Sequence, residues 1–120
     1  MTDQPAYSGE PGSLARHLAV VRARIARAAV AAGREPSEVE LIAVSKTMPL
    51  ERMREAFGLG QSAFGENRVQ EAAEKIRSWP AEGARPTWHL IGHLQTNKAR
   101  VAVELFDLVH SVDSIRLAEA

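Results

Sequence analysis

Leu41-Ile42-Ala43-Val44-Ser45-Lys46 carries four apolar residues without a polar interruption into a serine and a lysine. A short apolar run that does not alternate suits a strand buried on both faces, as in a parallel sheet. The strand is expected over about Val39 to Ser45. Parallel sheets place their chemistry at the carboxyl ends of strands, and Lys46 stands at such an end. Loss of solvation there would disfavour the ammonium and lower the lysine pKa. A neutral amine attacks carbonyl carbon and forms a Schiff base. The alternative is a solvated lysine that marks where the strand meets water. The stretch alone leaves both readings open.

Working outward, the chain reads as a leading helix and then alternating strands and helices. Ser13 is a candidate cap for the first helix, whose apolar stripe is Leu14, Leu18, Val21, Ile25, Ala28 and Ala32. Gly33 and Pro36 close it. Pro49 fits the first turn of a second helix with Leu50, Met53 and Phe57 facing inward. Ser62-Ala63-Phe64 is a short strand. Asn67 is a candidate cap for a third helix with inner residues Val69, Ala72, Ala73 and Ile76. Thr87-Trp88-His89-Leu90-Ile91 is a third strand, and a helix over about Thr96 to Leu105 follows it. Leu108-Val109-His110 is a fourth strand, after which Asp113 or Ser114 caps a last helix.

These βα units recur about 20–25 residues apart. Strands alternating with helices at that spacing mean parallel strands joined by right-handed crossovers. An open doubly wound sheet and part of a (β/α)8 barrel both fit. A full barrel takes ~250 residues, about twice the 120 present. The chain stops at Ala120 without a Gly, Asn or Pro stop signal, so a break inside the fifth helix is expected.

Composition narrows the function. Apolar residues make up 45% and charged residues 25%, with 15 basic and 15 acidic side chains. That balance argues against a nucleic-acid footprint or a polybasic membrane patch. With no cysteine there is no disulfide framework and no thiolate ligand or nucleophile. No apolar run reaches the ~20 residues of a membrane span. Residues 1–12 are polar, contain Pro and Gly, and lack the apolar centre of a signal peptide. They read as a flexible tail on a cytoplasmic protein, ahead of a domain at 13–120.

Three further segments could carry chemistry. In Phe64-Gly65-Glu66-Asn67-Arg68-Val69-Gln70-Glu71, Gly65 would let a ligand approach the backbone. Asn67 offers a donor and an acceptor, or simply a cap. In Trp88-His89-Leu90-Ile91-Gly92-His93-Leu94-Gln95-Thr96-Asn97-Lys98, the two histidines have the spacing of a helical zinc pair. Gly92 and the apolar run make the stretch strand and then loop, so the imidazoles share no helical face and no metal site is expected. In His110-Ser111-Val112-Asp113-Ser114, His110 is either a rim residue or a satisfied core histidine.

Taken in order with Leu41 to Thr47, these segments resemble the pyridoxal phosphate homeostasis protein family, YggS-like in bacteria and proline synthase co-transcribed homologue in vertebrates. The resemblance covers about Ser13 to Ala120. It implies the N-terminal half of a TIM-type barrel like the N-terminal domain of alanine racemases, binding pyridoxal 5'-phosphate. Lys46 falls on the family's Schiff-base lysine, Val44 and Asn67 on positions lining the ring, and Ile91 on the third-strand residue near the cofactor. Family members are generally monomers without established catalytic turnover that influence intracellular cofactor supply. The family's phosphate cradle and the arginine facing the pyridine nitrogen would lie beyond Ala120.

Two other functions share this barrel. An amino-acid racemase or lyase needs a second acid/base on the opposite face of the ring, and the one tyrosine here, Tyr7, lies in the tail. A half-barrel could also be inactive by itself. Its first and fourth strands would be open edges, which predicts self-association and weak cofactor binding.

Overall fold

The computed structural model describes residues 12–120. The chain divides into two compact units, one ending at Leu41 and one running from Ile42 to Ala120. The flexible tail expected over 1–12, with Tyr7, lies almost wholly outside the described residues.

The first unit is helix α1, Ser13–Ala31, followed by a 3-10 turn at Pro36–Glu38. Ser13 does not cap it. Gly12 holds the N-cap position with φ 82 and no side-chain cap bond forms, so Ser13 is already helical. The predicted stripe is buried at Leu14 and Leu18, but towards the end of the helix Ala29 is buried in place of Ala28 and Ala32.

The second unit alternates β1 (Ala43–Val44), α2 (Leu50–Gly58), β2 (Ala63–Glu66), α3 (Val69–Ser78), β3 (Thr87–Leu90), α4 (Ala99–Leu105), β4 (Leu108–Val109) and α5 (Ile115–Glu119). The four strands form one sheet in the order β1-β2-β3-β4, every pair parallel. This is the α/β class expected from the alternation. β1 is shorter than the predicted Val39 to Ser45 because only Ala43 and Val44 pair in register with β2. Hydrogen bonds nevertheless continue past the strand ends, from Ser45 N to Gly65 O, Ile91 N to Glu66 O and His110 N to Leu90 O, at 2.9–3.0 Å.

Register sorts the side chains between the two faces of the sheet. Ala43, Phe64 and Trp88 share one face, with Glu66 and Leu90 one step further on. Phe64, Glu66, Trp88 and Leu90 are all buried. The core on this side includes Met53 and Ala56 of α2, all four predicted inner residues of α3, and Ala99 and Ala102 of α4. An aromatic chain runs through it: Phe57 meets Trp79 edge-on at 5.4 Å, Trp79 meets Trp88 edge-on at 5.9 Å, and Phe64 stands 6.0 Å from Trp88. Edge-on pairs suit the ring quadrupole and add about 0.5–1.5 kcal/mol beyond area burial.

The opposite face carries Val44, Gly65, His89 and Leu108 in one row. Its edges are open, with Val44 50% and Leu108 48% exposed. β1, with Ala43 half-buried and Val44 exposed, is therefore not enclosed on both faces as expected. Helices pack on one side of the sheet; on the other, Gly65 and His89 in the middle of the row are buried while Val44 and Leu108 at its edges are half-exposed.

Candidate functional site

The carboxyl ends of β1, β2 and β3 bring three loops together. The first starts at Ser45. Lys46 and Thr47 form a tight turn in which Thr47 takes φ 60, a left-handed conformation uncommon for a non-glycine residue. Lys46 is exposed and, among the described residues, makes no hydrogen bond or ion pair. The burial expected to desolvate its amine is absent.

Beside it lie the other predicted site residues. By strand alternation Ile42 and Val44 share the open face with Gly65 and Ile91, while Lys46 lies in the turn that follows β1 and Asn67 directly follows β2. Contacts at Gly65 agree: a Cβ built there would meet Ile91 Cδ1 at 3.0 Å and Ile42 Cγ2 at 3.1 Å. Asn67 is half-buried beside Gly92, whose added Cβ would strike the Asn67 carbonyl oxygen and come within 2.7 Å of its Cα. Gly92 thus lets the β2 loop pass close over the β3 loop. Asn67 is not a helix cap. Arg68 occupies the N-cap of α3 in an extended conformation, which places Asn67 one residue too early. Ser114, by contrast, caps α5 as expected, accepting from Leu117 N at 3.1 Å.

The histidines separate. His89 is buried and His93 exposed. His89 Nδ1 and His110 Nε2 lie 3.0 Å apart and share a hydrogen bond, so His110 pairs with a strand residue at the rim. Ser111 Oγ donates to Gly92 O at 2.5 Å and ties the fourth loop to the third. Among the described residues no group of three or more His, Cys, Asp or Glu side chains converges as metal ligands. Nor is any described helix long and apolar enough to cross a membrane. A cleft of about 250 Å³ opens between the second and third loops, lined by Asn67, Arg68, Gln70, His93, Gln95 and Lys98 among others.

The sequence reading missed a polar network on the helix-covered side of Lys46. Glu66 is completely buried. Lys75 Nζ donates to Glu66 Oε2 at 3.0 Å and to the Ser45 carbonyl at 2.6 Å, and pairs with Glu71 Oε1 at 3.2 Å. Ser45 Oγ donates to Glu66 Oε2. Glu71 Oε1 accepts from Thr47 N at 2.6 Å. That backbone bond, reinforced by Lys75 and Arg68, holds the Glu71 carboxyl below the usual carboxylate range even though burial opposes it. Breaking a buried ion pair on one side typically costs about 3–5 kcal/mol. The available signals were Glu71 and Lys75 at helical i,i+4 spacing and a carboxylate, Glu66, ending an otherwise apolar strand.

No family model matches the chain. The pyridoxal phosphate homeostasis protein of Escherichia coli is 47% identical over 106 residues, covering 88% of this chain and 45% of that protein. The Pseudomonas aeruginosa protein of the same name is 46% identical over 110 residues, covering 89% and 46%. Among solved structures, PipY of Synechococcus elongatus with pyridoxal phosphate bound is 49% identical with a TM-score of 0.69, covering 88% of this chain and 45% of its own. An unknown protein from Bifidobacterium adolescentis aligns over 98% of this chain and 51% of its own, at 32% identity and a TM-score of 0.79. The chain spans about half the length of the curated relatives it matches. By sequence and backbone together the chain is similar to about half of a pyridoxal phosphate homeostasis protein.

Proposed function

We propose that this chain contributes part of a pyridoxal phosphate site in a protein of intracellular cofactor homeostasis without established catalytic turnover. Lys46 is the covalent anchor, and Val44, Asn67 and Ile91 line the ring. The observation that carries this reading is the distribution of amines at the strand ends. The chain has three lysines. Lys75 is committed to the buried network. Lys98 lines the cleft beside the third loop. Lys46 alone lies in a turn that follows a strand, with its amine exposed.

The residues present fit the ring and its aldehyde. Gly65 lies directly under the side chains of Ile42 and Ile91, so that together they make an apolar floor in which even a Cβ would be tight. Val44 borders this floor and Asn67 supplies an amide at its end. When bound, pyridoxal phosphate supplies an aldehyde carbon that condenses with a lysine amine as a Schiff base. The apolar side chains of Val44 and Ile91 would exclude water from one face of the ring, and Asn67 would orient a ring substituent by hydrogen bonding. The all-parallel order, with helices between strands and one face open, supports a larger architecture of four βα units and a leading helix of a (β/α)8 barrel. PipY, a relative at 49% identity, has been solved with this cofactor. We place the complete protein in the cytoplasm as a monomer.

Borohydride reduction in the presence of pyridoxal phosphate, followed by peptide mass mapping, tests the anchor. The added mass is expected on the Lys46 peptide and is expected to vanish in Lys46→Ala. Recovery on Lys75 or Lys98, or equal labelling of the variant, would overturn the assignment.

A further inference from the structure

The peptide units on the two sides of Lys46 are each held by a side chain of α3. The unit before Lys46 ends in the Ser45 carbonyl, which accepts from Lys75 Nζ at 2.6 Å. The unit after it ends in Thr47 N–H, which donates to Glu71 Oε1 at 2.6 Å. The two α3 side chains are themselves bonded, Lys75 to Glu71 at 3.2 Å, and Lys75 is braced from below by the buried Glu66. Ser45 is fixed a third time, through its N–H on Gly65 O and its hydroxyl on Glu66.

We propose that Glu71, Lys75 and Glu66 are positioning residues for Lys46, clamping its flanking peptides so that its amine is presented at the carboxyl end of β1. What the amine then does rests on the cofactor reading; that it is held in place does not. Two observations favour positioning over mere stabilisation. A buried ion pair is often no more stabilising than apolar residues of the same volume, so a core seeking stability alone has no need of Glu66 and Lys75. The clamp also holds Thr47, a β-branched residue, at φ 60. Such a conformation persists only where the surroundings over-determine it, and it clusters at functional sites. The strained turn redirects the chain directly after Lys46.

Backbone order parameters measured by NMR on the cofactor-free chain, together with the borohydride label, test the clamp. In the unmodified protein the amides of Lys46 and Thr47 are expected to be as rigid as the strands, about 0.85, and in Glu71→Ala to fall below about 0.6, with β2 and α3 unchanged. The label fixed on Lys46 falls on the order of three- to tenfold. Glu71→Gln, which keeps an acceptor for Thr47, restores most of both. The paired variant Glu66→Gln with Lys75→Met removes both buried charges without stranding either, and should loosen Ser45 and Lys46 in the same way. Rigid Lys46 amides in Glu71→Ala and in the paired variant would overturn the proposal. So would mobile amides with unchanged labelling. If the unmodified protein takes no label at Lys46, the cofactor reading fails alone, and the order parameters still decide the clamp.

Discussion

Glu71 links a surface helix to the peptide that follows Lys46, and its titration should be visible in stability. Its carboxyl is held below the ordinary range first by the Thr47 N–H and then by Lys75, with Arg68 contributing. A carboxylate whose folded pKa is depressed adds stability above its unfolded pKa and loses it as pH falls through the folded one. Resistance to urea should therefore fall progressively below the ordinary glutamate pKa of about 4.3. Glu71→Gln should flatten that part of the profile, with a loss on the order of 1 kcal/mol near neutrality, discounted for the partial exposure of the side chain. An unchanged acid limb in the variant would show that the bond contributes nothing. Lys46 was legible as a residue because it ends an apolar run. Glu66 was not, since a strand-end carboxylate reads as solvated until Lys75, from the next helix, is folded against it.

Among the elements, the two glycines of the site make opposite demands. A Cβ at Gly65 meets side-chain atoms that can shift by a few tenths of an ångström, Ile91 Cδ1 and Ile42 Cγ2, whereas one at Gly92 meets the backbone of Asn67. Gly65→Ala should fold with nearly the parent melting temperature yet reduce cofactor labelling, because the floor is raised. Gly92→Ala must push the β2 loop away and should cost about 1–3 kcal/mol in chemical denaturation, as overpacking typically does. Equal effects on stability would contradict this contrast. Helix α3 was read correctly because Val69, Ala72, Ala73 and Ile76 repeat at helical spacing, and all four are buried. The caps were less legible. Asn67 and Ser13 have the right chemistry, but capping depends on backbone angles, and Arg68 and Gly12 adopted them instead.

For the whole molecule the open face and the two edge strands matter most. Among the described residues β1 and β4 each lack a neighbour on one side, and Val44 and Leu108 lie exposed on the same face. Unpaired edges and contiguous apolar surface favour association. Sedimentation velocity on the 120-residue chain should show mass rising with concentration, and Val44→Lys should reduce it. A monomer at every concentration would count against that. The parallel order could be read from the sequence because strand and helix alternate at a regular interval. Exposure of one face could not, since Val44 looks as apolar as a residue enclosed on all sides and only the surroundings distinguish them.

The aromatic chain behind the sheet has an optical consequence. Both tryptophans belong to it, Trp79 at the end of α3 and Trp88 within β3, with their rings 5.9 Å apart and nearly perpendicular. Intrinsic emission from this chain therefore reports one location, the seam between the helix that carries Glu71 and Lys75 and the strand that leads to Ile91. A change in that emission when ligand is added would register movement of the scaffold under Lys46 without any attached dye.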